Sequence, residues 1–328
     1  MELKTGQPVA SLDIQFEWHT GIWEKIFDLH ASFIQLDILR SLAAGRLVVY
    51  LSCPISSRGG SISMTNIDVA DWTVRRLMAE WGPRVAFVNP AQYQLVSKQG
   101  TGLIRRHAEL LAARGELDTP IDNLLKDSDK KPTGGDYMRM WTRVLAEDDR
   151  DSLGDRFTAF YFIGPSDYRD FFTQGGRMSV SAGVEEYFAR TFAIDHDFNA
   201  FFTPPFVDDA GKPVLDQADE WERRRREFLR FYAAKSSVSY SKGSHDEWNI
   251  WVELNRKRVK KYEIGSQIAG FFDGWQVDPG SCEASITPGY AKPTLSTVPA
   301  LLPRIEPPSE ATSRARAIAS MARAVKRA

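Results

Sequence analysis

Arg46-Leu-Val-Val-Tyr-Leu-Ser-Cys-Pro-Ile-Ser-Ser-Arg-Gly-Gly60 is the stretch whose reading decides the fold. Leu47 to Leu51 runs without a charge and stops at a small polar loop. A short uninterrupted apolar run of this kind reads as a strand buried on both faces, as in a parallel sheet. The loop after it offers backbone N–H groups, the hydroxyls of Ser56 and Ser57, and the Arg58 guanidinium. Those groups hold a phosphate or a sugar hydroxyl. The same loop also reads as a plain strand-to-helix turn, in which Gly59 and Gly60 only supply φ freedom.

Outward from this stretch the chain alternates helices and strands. Asn66–Trp81 carries Ile67, Val69, Ala70, Val74, Leu77, Met78 and Trp81 on one side, and Gly82-Pro83 stops the helix. Arg84–Val88 is a second short apolar strand, so strand, helix and strand form a parallel βαβ unit. Helical pieces are expected at 101–114 and 120–127, then a helix opening at Asp136 and a third apolar strand at Phe157–Ile163. A further helix opens at Ser179. The implied class is α/β, a doubly wound, flavodoxin- or Rossmann-like parallel sheet.

Residues 1–45 read as a helical N-terminal extension. Within it Ile22, Ile26, Leu29, Phe33, Leu36 and Leu39 recur at three- and four-residue spacing, a face for the core or another subunit. The α/β domain is expected over 46–215, and 216–328 as a C-terminal extension. That extension holds a charged helix at Asp219–Lys235, where glutamates interleave with Arg223–Arg226 as on a solvated face. No single period fits residues 245–275. A Pro-, Ser- and Thr-rich tail covers 288–310, and a small basic helix is expected at Ser313–Ala328.

Composition narrows the classes. With 43% hydrophobic residues, 26% charged residues and a net charge of −1, nothing points to a nucleic-acid or membrane surface. No run reaches the roughly 18 apolar residues of a membrane span, and the start lacks a signal-peptide pattern. Cys53 and Cys282 lie far apart, and the five histidines show no metal spacing. The expectation is a cytoplasmic protein with no metal and no organic cofactor.

In a parallel sheet the loop Ser52–Gly60, the helix start at Asp136 and the segment Ser179–Glu186 converge on one carboxyl edge. They bring an anion cradle and two carboxylates beside Tyr50, Tyr137 and Trp141. A pair of carboxylates in different environments is what glycosidic chemistry requires. These pieces resemble the nucleoside 2-deoxyribosyltransferase superfamily, whose members include nucleoside 5′-monophosphate N-glycosidases. Tyr50-Leu-Ser-Cys-Pro-Ile55 is similar to that family's first strand, and Ser57-Arg58-Gly59-Gly60 to its phosphate loop. Ser179-x-x-x-Gly183-x-Glu185-x-x-x-Ala189 is similar to its Ser-x-Gly-x-Gly-x-Glu-x-x-x-Ala segment, with Ser181 in place of the first glycine.

The resemblance implies Glu185 as the nucleophile at C1′, with Glu186 beside it as the alternative. It implies Tyr50 as the residue orienting that carboxylate and Asp136 as the second carboxylate. Substrate contacts would come from Ser52, Ser56, Ser57, Arg58, Gly59, Gly60, Ser179 and Gly183, with Ser57, Arg58 and Ser179 on a 5′-phosphate. The implied activity is hydrolysis of the N-glycosidic bond of a (deoxy)ribonucleoside 5′-monophosphate by a homo-oligomer such as a homodimer. A deoxyribosyltransferase, an NAD-like nucleosidase or a non-enzymatic nucleotide-binding module are the alternatives. On residue chemistry alone, Glu185 also suits the positive end of a helix, Asp136 an N-cap, and Tyr50 a core position.

Overall fold

The apolar run after Arg46 forms strand β3 (Leu47–Ser52), buried from Val48 onward. The computed structural model describes residues 3–5, 12, 14–55, 61–95, 98–117, 131–146, 152–174, 180–208, 211–235, 242–262, 266–277 and 289–291. Two short strands, β1 (Leu3–Thr5) and β2 (Glu17–His19), precede β3 and pair antiparallel with each other. β3 is flanked in parallel by β4 (Val85–Val88) on one side and β5 (Ala159–Phe162) on the other. β6 (Ala269–Phe272) adds parallel to β5, and β7 (Trp275–Val277) closes the sheet antiparallel, giving the order β4-β3-β5-β6-β7. Asp273 and Gly274 between the last two strands have φ of 54° and 84°, the left-handed pair that a two-residue hairpin demands.

Side-chain alternation divides the core into two layers. Val48, Tyr50, Phe160 and Phe162 face the first, and Val49, Leu51, Ala159 and Tyr161 the second. Helices α1 (Ile22–Ala43), α4 (Gly134–Ala146) and α9 (Lys242–Tyr262) cover the first layer, and α3 (Lys98–Ala113) packs on α1. The second is covered by α2 (Ser63–Trp81), α5 (Pro165–Thr173), α6 (Val180–Ile194), α7 (His196–Phe201) and α8 (Gln217–Lys235). Burial on both faces explains why the strands read as continuous apolar runs.

Two expectations change. Of the face expected on α1, Ile26 and Leu29 are buried, together with Trp23, Phe27, His30, Ala31, Ile34 and Ile38, while Phe33, Leu36 and Leu39 stay 40–45% exposed. Apolar residues lie on both sides of this helix, and the side that carries Trp23 and Phe27 meets the core. The boundary expected at residue 215 falls inside the folded unit, because β6 extends the sheet, α9 packs on α4, and Phe228 and Tyr232 of α8 are fully buried. Val207 and Pro213 pair as an isolated antiparallel bridge. The helices expected at 120–127 and from Ser313 lie outside the described residues. Among the described residues, no helix is long and apolar enough to cross a membrane.

Candidate functional site

The carboxyl end of β3 meets α9, and specific contacts fix that helix against the sheet. Trp251 donates its indole N–H to the Ile268 carbonyl at 3.0 Å. Asn255 brackets the same residue, donating to its carbonyl at 3.1 Å and accepting its N–H at 2.7 Å. Gly270 makes room for the Trp251 ring, since a Cβ there would come within 2.2 Å of it. Glu247 lies one helical turn before Trp251 and is thereby held against the last residues of β3.

Both carboxylate oxygens of Glu247 are occupied. The Tyr50 phenol donates to Oε1 at 2.8 Å, and the Ser52 hydroxyl donates to Oε2. Glu247 is 4% exposed and Tyr50 wholly buried, its ring 5.5 Å from Trp141 and 5.3 Å from Phe160. Burying a carboxylate opposes its charge, and here desolvation outweighs the two hydroxyl donors. The Glu247 carboxyl is pushed up to about 8, chiefly by burial and further by Asp246. Burial, then the Glu247 charge, holds both the Tyr50 phenol and the Cys53 thiol well above their ordinary ranges.

Asp246, next in the helix, does different work. Its carboxylate accepts the backbone N–H groups of Gly289 at 2.8 Å, Tyr290 at 2.6 Å and Ala291 at 3.3 Å. Gly289 lies directly on the first turn of α9, where a Cβ would come within 1.7 Å of the Lys242 carbonyl. Residues 289–291 thus form a strap over the helix start beside Glu247.

The residues expected from the sequence fall in separate places: Tyr50 and Ser52 meet on Glu247, Gly183 and Glu186 line a pocket with Phe171, Phe172, Tyr187 and Arg190, and Asp136 stands beside β2. Glu185 and Glu186 are exposed on α6, whose buried residues Val184, Tyr187 and Phe188 belong to the second layer. Tyr50 faces the first layer, so the sheet separates it from that helix, and its phenol orients Glu247 instead. Gly183 serves packing, because a Cβ there would come within 1.7 Å of the Phe172 carbonyl of α5. Asp136 ties α4 to β2, accepting from the His19 backbone at 2.6 Å and the Thr133 backbone at 2.7 Å and sitting 2.8 Å from His19 Nδ1. Its carboxylate is thereby committed to holding structure. Ser52 stands at the site. Ser56, Ser57, Arg58, Gly59, Gly60 and Ser179 lie outside the described residues. Ile62, before α2, donates its N–H to Tyr232 Oη at 3.1 Å.

The sequence around Glu247 carries a related signal. Ser241-Lys-Gly-Ser-His-Asp-Glu247 sets a serine six residues before the glutamate and a glycine at the third position. The serine, first glycine and glutamate stand at the spacing of the Ser-x-Gly-x-Gly-x-Glu-x-x-x-Ala segment, with His245 in place of the second glycine and Trp251 in place of the alanine. Among the described residues, no group of three or more His, Cys, Asp or Glu is arranged to hold a metal ion. Compared with known proteins, the chain matches no family model, no curated protein and no solved structure, and the site is read from its own geometry.

Proposed function

We propose that the chain hydrolyses the N-glycosidic bond of a nucleoside 5′-monophosphate, with Glu247, in place of Glu185, as the carboxylate that meets C1′. The observation that carries this reading is Glu247 itself, buried at the end of β3 with Tyr50 and Ser52 on its two oxygens. A tyrosine of the first strand orienting a glutamate that follows a serine by six residues is the arrangement expected in the deoxyribosyltransferase-like proteins. The strand order supports it too. β3 lies where the order reverses, as in flavodoxin-like sheets, and such sheets bind ligands outside the carboxyl ends of the strands at that point.

The chemistry follows from the burial. A carboxylate shielded from water is poorly matched in the free protein and well matched once positive charge develops at C1′. Glu247 attacks C1′ as the C1′–N bond breaks, and the base leaves with the electron pair of that bond. Water then attacks C1′ and frees the carboxylate. One water is consumed, its hydroxyl ending on C1′ and its remaining proton on the base. Tyr50 and Ser52 keep Glu247 in place and stabilise its ionised form through both steps.

The test is base release, followed by chromatography, from a panel of ribo- and deoxyribonucleoside 5′-monophosphates. A free base and a sugar phosphate in equal amounts are expected with at least one of them. No release from any would overturn the reading.

A further inference from the structure

Two tryptophans of α9 stand side by side with ring centroids 5.2 Å apart, and their indole N–H groups fare differently. That of Trp251 is satisfied by the Ile268 carbonyl. That of Trp248 is buried with no hydrogen-bond partner among the described residues. A buried orphan donor is costly, and beside a candidate site a ligand is one source of the acceptor it lacks. Trp248 is 4% exposed and directly follows Glu247. Its ring lies 5.0 Å from that of Phe162, the last residue of β5 and the register partner of Ser52. Glu247 and Trp248 therefore stand at the ends of the two neighbouring strands β3 and β5, where the strand order reverses.

The geometry points to Trp248 as the residue that reads the sugar of the substrate, its indole N–H donating to the 2′-hydroxyl of a ribonucleotide. This rests on Glu247 meeting C1′. An indole N–H donates and never accepts, so its partner is an oxygen acceptor near C1′. The ring oxygen is a poor partner, because it becomes electron-deficient as the bond breaks and a donor there would oppose the reaction. The phosphate lies at the far end of the sugar. Of the acceptors on the sugar phosphate, the 2′-hydroxyl, on the carbon next to C1′, remains, and the comparison of the two sugars below separates it from an acceptor on the base.

The test compares matched ribo- and deoxyribonucleoside 5′-monophosphates with the wild-type chain and Trp248→Phe. The wild type is expected to favour the ribonucleotide by roughly tenfold or more in kcat/KM. Trp248→Phe should lose most of that preference by slowing on the ribonucleotide alone. A second measurement needs no variant. The Trp248 indole N–H resonance of ¹⁵N-labelled protein should move when ribose 5-phosphate is added and stay in place with 2-deoxyribose 5-phosphate. Equal use of both sugars by the wild type, an unchanged preference in the variant, or an indole signal indifferent to ribose 5-phosphate would overturn the inference. Base release that depends on Glu247 but shows no sugar preference rejects the role of Trp248 alone. If no nucleotide releases base, the proposed function fails and the indole resonance still decides this point.

Discussion

Tyr50 and Glu247, 197 positions apart in the sequence, are joined by a 2.8 Å hydrogen bond at the end of the central strand. The phenol favours the ionised carboxylate against the desolvation that opposes it. A hydrogen bond to a charged group is worth about 1.5–3 kcal/mol, or roughly one to two pKa units. Tyr50→Phe should therefore move the alkaline-rising limb of kcat/KM upward by about one pH unit or more. The pH profile of base release checks this. A variant that lost rate equally at every pH would show that Tyr50 acts only through packing.

Glu247 also couples stability to pH. Its carboxyl ordinarily titrates at 4.5 and sits at about 8 in the folded chain. A raised folded pKa stabilises the fold fully below the ordinary value, and that contribution is lost as pH rises through the folded one. Glu247→Gln keeps the volume and carries no charge, and its amide still pairs with both hydroxyls. Thermal unfolding midpoints of the two chains should lie close at about pH 5, with the variant a few degrees higher at about pH 9. A gap that does not grow with pH would contradict the burial of a titrating carboxyl.

Asp246 should govern the strap. Replacing it with alanine leaves the N–H groups of residues 289–291 without their acceptor. Losing about 1.4 kcal/mol there raises the released population roughly tenfold. Limited digestion with chymotrypsin should then cut after Tyr290 about ten times faster in Asp246→Ala, while the melting of the remaining fold changes little. Equal cleavage rates would show that the strap is held by other contacts.

His30 and His107 share a 2.9 Å hydrogen bond between α1 and α3. Burial lowers both, His107 to about 4 from an ordinary 6.5. A lowered folded pKa gives stability that is present above the ordinary value and lost as pH falls through the folded one. The wild type should lose stability between pH 6.5 and 4 more steeply than His107→Gln. Parallel curves from thermal melts across that window would remove the pair from the acid response.

The sequence yielded what burial on two faces imposes. β3, β4 and β5 read as apolar runs because both their faces are covered, and the helices between them show the matching period. Glu247 and α9 stayed hidden because that helix buries Ser244, Asp246, Glu247, Asn249 and Asn255 among its tryptophans, which breaks the apolar period. Its polar residues answer to the strap, to Ile268 and to Tyr50, partners distant in the chain. The segment at Ser179–Glu185 attracted the nucleophile assignment for a local reason. Gly183 is demanded there by the close approach of α6 to Phe172, so packing alone accounts for a glycine at that position of the motif. Asp136 stands at the third position of α4 and not at the N-cap, accepting the Thr133 N–H at 2.7 Å while its own N–H donates to Thr133 Oγ1 at 3.4 Å, with His19 as a further partner.

The most direct measurement is kcat/KM for base release by the wild type, Glu247→Gln and Glu185→Gln on the best nucleoside monophosphate. Loss of the carboxylate at C1′ should cost on the order of a thousandfold or more, while a change at exposed Glu185 should leave the rate within about twofold, since surface substitutions away from a site move energies by about 0.5 kcal/mol. An active, folded Glu247→Gln, or a Glu185→Gln as damaged as expected for Glu247→Gln, would contradict the assignment.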